Sequence, residues 1–145
     1  MKVFLDTSVL VAAVVTKHEH HTRALEILDR VQNGKDEGHI SGHSMAEIYS
    51  ILTKLPPPFR HNPEQALLSI EENVVKHFKV TALGPSEYAP LIREAALSGI
   101  QGGTIYDAVL LKCAAKSGAE KIWTFNLKHF QNIAPKNIVS QIFAP

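Results

Sequence analysis

Two hydrophobic rhythms run along this chain: short runs of strand-forming residues, and longer stretches where apolar side chains recur every three or four positions. Lys2-Val3-Phe4-Leu5 is the first short run, and it ends in Asp6-Thr7-Ser8, residue types that cap helices. The apolar run Val9 to Val15 then predicts a buried helix. Ala24, Leu25, Ile27, Leu28 and Val31 predict a second, amphipathic helix closed by Asn33-Gly34, with Gly38-His39-Ile40-Ser41 as a short strand after it. A third helix is expected from Ser44, with Met45, Ile48, Tyr49, Leu52 and Leu55 on one face. Pro56-Pro57-Pro58 must stop it, because proline lacks the N–H donor and clashes with the preceding turn. Pro63 suits the first position of a helix that turns Leu67, Ile70 and Val74 inward.

Lys79-Val80-Thr81-Ala82-Leu83 reads as a strand, and Gly84-Pro85-Ser86 as the turn into a helix burying Tyr88, Leu91, Ile92 and Ala95. Gly99 to Gly103 is a flexible loop. Thr104 opens a helix with Ile105, Ala108, Val109 and Cys113 inward, ended by Gly118; Ile122-Trp123-Thr124-Phe125 and Ile138-Val139-Ser140 are expected as strands. Strands alternating with helices predict an α/β fold whose parallel sheet is covered on both faces. No repeat or low-complexity tract interrupts the pattern, so residues 1–145 are read as a single domain with the proline triplet as an internal loop.

Composition narrows the class. Hydrophobic residues at 45% and charged residues at 20% fit a globular chain and exclude a disordered or fibrous one. At this length roughly 68–70% of the unfolded surface can be buried, so neither a disulfide nor a structural zinc is needed. The uncharged stretch Thr7–Thr16 is about half a membrane span. Asp6 interrupts the apolar start and no signal peptide is expected. The single cysteine, Cys113, fits a reducing compartment, so a cytoplasmic location without membrane attachment is expected. Fifteen Lys and Arg against fourteen Asp and Glu give a net charge of +1, which is not the footprint of a protein that holds nucleic acid by charge alone.

Ligands of open parallel sheets sit beyond the carboxyl ends of the strands, beside helix N-termini. Three acids fall at such places: Asp6 after the first strand, Glu47 in the first turn of the third helix, and Asp107 in the first turn of the helix after the glycine loop. Each also reads as capping. Ser44-x-x-Glu47 and Thr104-x-x-Asp107 match a capping box, and Asp6 could cap alone. Converging in one cleft, the three would repel one another far more than capping stabilises them. A hard divalent cation, Mg²⁺ or Mn²⁺, would offset that repulsion, and phosphodiester cleavage is the chemistry such a site supports best.

Val3-Phe4-Leu5-Asp6-Thr7-Ser8-Val9-Leu10, Met45-Ala46-Glu47, Ile105-Tyr106-Asp107-Ala108 and Trp123-Thr124-Phe125-Asn126, in that order, resemble the motifs of the PIN-domain ribonucleases. The resemblance is strongest to the VapC-type toxins of bacterial toxin–antitoxin pairs, and Tyr49 to Arg60 resembles one subgroup of them. It implies an α/β/α sandwich around a parallel sheet of about five strands, and a Mg²⁺- or Mn²⁺-dependent endoribonuclease. Asp6, Glu47 and Asp107 match the family's acidic, metal-holding residues. Ser8 and Thr124 match its small hydroxyl positions. Asn126 departs from the pattern, since many relatives carry a fourth acid there. The resemblance further implies a homodimer neutralised by a cognate antitoxin, and a structured cellular RNA, a transfer or ribosomal RNA, as substrate.

Arg60 and Lys128 lead the candidates for an RNA path, ahead of His43, His129, Lys54, Lys112 and Lys116. The cluster His18, Glu19, His20 and His21 is read as an exposed helix entry, Cys113 as a small core residue, and Trp123 and Phe125 as sheet core. Two other readings are open. A haloacid-dehalogenase-like phosphatase would need an acid where Ser8 stands. A non-catalytic RNA- or partner-binding module with the same fold would be consistent with Asn126.

Overall fold

In the first strand, β1 (Lys2–Leu5), Val3 and Leu5 face one way and Phe4 the other, and this alternation divides the core in two. The computed structural model describes residues 1–145. Four more strands follow: β2 (Glu37–Ser41), β3 (Phe78–Thr81), β4 (Lys121–Trp123) and β5 (Ile142–Phe143). All pair in parallel in the order β3-β2-β1-β4-β5. Val3, Leu5 and Ile40 pack under α1 (Thr7–Val14), α2 (His21–Gln32), α3 (Gly42–Lys54) and α4 (Pro63–Ile70). Phe4, Ile122 and Ile142 pack under α5 (Pro85–Leu97), α6 (Thr104–Ser117) and α7 (Leu127–Ile133). The result is the expected three-layer α/β/α sandwich with a five-stranded parallel sheet.

Local chemistry accounts for the element limits. Helix α1 is apolar around its whole circumference, so it lies buried rather than half-exposed. Asn62 and Gln65 form a reciprocal capping box around Pro63, which fixes the start of α4. That helix ends in one wider π turn, Glu71–Val75. Gly118, at φ 71°, closes α6 in the left-handed conformation that glycine adopts without strain. Gly38 is required for space: a Cβ there would stand 2.5 Å from Val31 Cγ1 and 2.6 Å from Phe78 Cδ1.

Several expectations shift. β2 runs into α3 without a loop, so the helix starts at Gly42 and its cap is Ser41, whose hydroxyl accepts from the Ser44 N–H at 3.0 Å. Ala66, Ile70 and Val74 are the buried stripe of α4 and its π turn, and Leu67 faces solvent. In α5, Leu91 and Ala95 are buried while Tyr88 and Ile92 are exposed. The third strand begins and ends earlier than expected, and Phe125 lies beyond the end of β4. Where a last strand was expected there is a 3₁₀ turn, Val139–Gln141, and β5 follows it.

Candidate active site

The chain builds outward from β1 through β2 to β3, then crosses back through α5 and α6 to β4 on the other side. The sheet therefore reverses its winding between β1 and β4, and the carboxyl ends of those two strands border the crevice where ligands of such sheets bind. Asp6 follows β1 and Thr124 follows β4, and the Asp6 N–H donates to the Trp123 carbonyl at 3.1 Å.

Asp6 is 2% exposed and caps α1. Its Oδ1 accepts from the Ser8 N–H, the Ser8 hydroxyl and, at 3.3 Å, the Val9 N–H. Its Oδ2 accepts from the Thr124 hydroxyl, and Thr124 is wholly buried. Ser8 Oγ in turn accepts from the Phe125 N–H at 3.1 Å, and Thr124 Oγ1 from the Asn126 N–H at 3.0 Å. Both hydroxyls named from the sequence thus grip the carboxylate directly. Burial pushes the Asp6 carboxyl above its usual value, against the downward pull of the Ser8 and Thr124 hydroxyls and the Val9 and Ser8 amides. No positive side chain contributes to that balance. Asp6 is a buried carboxylate dressed with neutral donors and lacking a counter-charge.

A chain of buried hydroxyls links this carboxylate's helix to α3: Thr7 Oγ1 lies 3.0 Å from Ser44 Oγ, and Ser41 Oγ lies 2.9 Å from it. At the start of α3, His43 Nε2 lies 3.5 Å from Oε2 of Glu47, one turn on. The His43 ring also stacks on Tyr106 of α6, centroids 5.1 Å apart and planes 10° apart. Asp107 follows Tyr106, and its Oδ2 lies 2.8 Å from Nε2 of His129 in α7. The starts of α1, α3, α6 and α7 are therefore joined at the carboxyl end of the sheet, with Asp6 capping α1, Glu47 in the second turn of α3 and Asp107 in the first turn of α6.

Neither capping box forms. Ser44 lies inside α3, and the Gly103 cap of α6 offers no side chain. Asp6 does cap its helix, and its second oxygen faces Thr124 as well. Glu47 and Asp107 meet histidines instead of closing on Asp6, and no three acidic, histidine or cysteine side chains form a ready-made metal cage. Hard carboxylate oxygens are chemistry that suits Mg²⁺ or Mn²⁺, and Asp6 is such a group, buried without a counter-ion. Asn126 occupies the cap position of α7 without a side-chain capping bond.

The other candidates divide. Lys128 is exposed in the first turn of α7, beside His129. Arg60 lies in the loop between α3 and α4, where its Nε–H donates to the Leu55 carbonyl at 2.8 Å; no contact joins it to the acids. His18, His20 and His21 are engaged in packing: His20 stacks on Phe125 and meets Arg23, and His21 Nδ1 lies 2.9 Å from the Ala12 carbonyl. The hydroxyl chain and Tyr106 were not singled out from the sequence. Their only signal was position, small hydroxyls at strand ends and an aromatic next to Asp107.

The PIN-domain family model matches residues 3–135. The chain belongs to the PIN-domain family. This PIN domain is 35% identical over 123 residues to Ribonuclease VapC40 of Mycobacterium tuberculosis, covering 85% of each chain. Among solved structures it resembles M. tuberculosis VapC20, a toxin that cleaves the sarcin–ricin loop, with a TM-score of 0.69 at 15% identity over 92% of this chain and 97% of that one. It also resembles VapBC2 of Rickettsia felis bound to a fragment of promoter DNA, with a TM-score of 0.65 at 18% identity over 100% and 99%. These PIN-fold likenesses extend over nearly the whole chain. No helix is long and apolar enough to cross a membrane.

Proposed function

We propose that this PIN domain is an endoribonuclease dependent on Mg²⁺ or Mn²⁺, the toxin of a toxin–antitoxin pair acting in the cytoplasm, and that residues 1–145 form one nuclease unit. The observation that carries the reading is Asp6: a carboxylate 2% exposed, at the reversal point of the sheet, with four neutral donors and no counter-charge. The relatives named ribonucleases support the choice of RNA as substrate.

Asp6, Glu47 and Asp107 would hold the ion. When bound, such an ion activates water and stabilises the leaving oxygen of a phosphodiester. Ser8 and Thr124 fix the Asp6 carboxylate so that no reorganisation is needed as charge develops. His129 takes one oxygen of Asp107 and leaves the other available. The Asn126 amide can orient a water but adds no charge, which favours a single tightly held ion. Lys128 and Arg60 are the proposed contacts to the RNA backbone, Lys128 nearer the acids. The substrate is proposed to be a structured transfer or ribosomal RNA, and the active form a homodimer. A cognate antitoxin would restrain it, a reading supported by the antitoxin complexes among its structural neighbours.

The test is digestion of total bacterial RNA by purified protein with Mn²⁺, with chelator, and with Asp6→Asn in place of the wild type. Discrete products with 5′-phosphate and 3′-hydroxyl ends, requiring both metal and Asp6, are expected. Cleavage by Asp6→Asn equal to wild type would overturn the assignment of the site.

A further inference from the structure

The two aromatic residues flanking Thr124 are already occupied. Lys121 Nζ sits 5.0 Å from the ring centroids of both Trp123 and Phe143, and Phe125 lies between the His20 ring at 4.5 Å and the Arg23 guanidinium at 5.4 Å. Tyr106 differs. It is 53% exposed, more than any other aromatic residue of the chain, and it immediately precedes Asp107. One face of its ring is covered by His43, at an interplanar angle of 10°, and the same histidine reaches Glu47. The pair therefore joins α3, which carries Glu47, to α6, which carries Asp107. The pair leaves more than half of Tyr106, the residue next to Asp107, open to solvent.

Unpaired bases of single-stranded RNA are recognised by stacking on such rings, and every base offers a face for it. We propose that the Tyr106–His43 pair is a stacking subsite for an unpaired nucleobase next to the cleaved phosphate. It rests on the endoribonuclease reading above and deepens it: the substrate must present an unstacked base at the cut, as a loop or bulge does and a continuous duplex does not. The covered face of Tyr106 fixes the ring plane, so a base stacks on a preset surface rather than ordering a free side chain as it binds.

The test uses the full chain and single-stranded RNA decamers carrying one 2-aminopurine, whose fluorescence is quenched when it stacks. Binding is read in the Asp6→Asn background, in which no cleavage is expected. Quenching is expected, lost in Tyr106→Ala and retained in Tyr106→Phe, with affinity about tenfold weaker for the alanine variant. In the otherwise wild-type enzyme, Tyr106→Ala should raise KM while Tyr106→Phe keeps it, and thermal melts should be alike for all three. Metal-dependent cleavage by wild type with no Tyr106-dependent quenching would overturn the subsite and leave the nuclease standing. Tyr106-dependent quenching without any cleavage of total RNA would support the subsite and overturn the nuclease. Absence of quenching with every decamer overturns the subsite in either case.

Discussion

His129, on α7, sets its Nε2 2.8 Å from Oδ2 of Asp107, on α6, twenty-two positions earlier in the chain. Both side chains are partly open to water, so the pair contributes little to stability, about 0.5 kcal/mol or less. Its consequence is orientation: a partner that holds one carboxylate oxygen determines where the other points. His129→Ala should therefore weaken Mn²⁺ binding about tenfold by calorimetry with a nearly unchanged melting temperature. Unaltered metal affinity would show that the pair is incidental.

Asp6 combines burial with the absence of a counter-charge, and in chelator this must cost stability. Asp6→Asn keeps the shape and removes the charge. In EDTA the variant should melt a few degrees above wild type. Divalent ion should narrow that gap by stabilising the wild type through binding. A variant less stable than wild type in EDTA would mean that the neutral donors already stabilise the charge fully.

Acid sensitivity should arise elsewhere. The Arg30 guanidinium, 2.6 Å away, and the chain's N-terminal ammonium, 3.3 Å away, hold the Asp36 carboxyl below its ordinary value of 3.8. Lys79 and His39 hold Glu37 down at about 2. A carboxyl whose value is lower folded than unfolded stabilises the fold above the unfolded value and loses that contribution as pH falls through the folded one. Wild type should thus exceed Asp36→Asn in urea midpoint at pH 7, with the difference shrinking by pH 3. A gap independent of pH would show that Asp36 acts by packing alone.

Cys113 lies on the core-facing side of α6, and burial pushes its thiol up to about 11. At pH 8 the native protein should react with a thiol reagent only as fast as it unfolds, and urea should accelerate labelling in step with the loss of helix signal. Rapid labelling of the folded chain would place Cys113 in a more open setting than its packing indicates.

How far the sequence carried the structure can be seen in particular residues. A short run of strand formers placed β1, and glycine and proline placed most helix ends, because those constraints are local. Ser44 was expected to open α3, with Ser41 in the strand before it; the pairing of β2 with both neighbours runs straight into the helix and makes Ser41 the cap. Helix α5 carries two apolar stripes, Leu91 with Ala95 and Tyr88 with Ile92, and only the sheet beneath selects one. At the site, the three acids were legible by their places beside a strand end and helix starts, and the Ser8 and Thr124 hydroxyls through the family resemblance. The contact from His129 to Asp107 was not, since it depends on two helices meeting from distant parts of the chain.

The position of Asp6 has a further consequence. It follows the central strand, hydrogen-bonded on both sides, while the sheet ends in the two-residue β5. Amides around Asp6 should exchange with solvent only on global unfolding, whereas α7 and β5 should open earlier and more cheaply. The core of the site and the most resistant part of the fold are the same place. An inhibitor of the proposed nuclease would therefore gain more by covering Asp6 than by prying the fold apart.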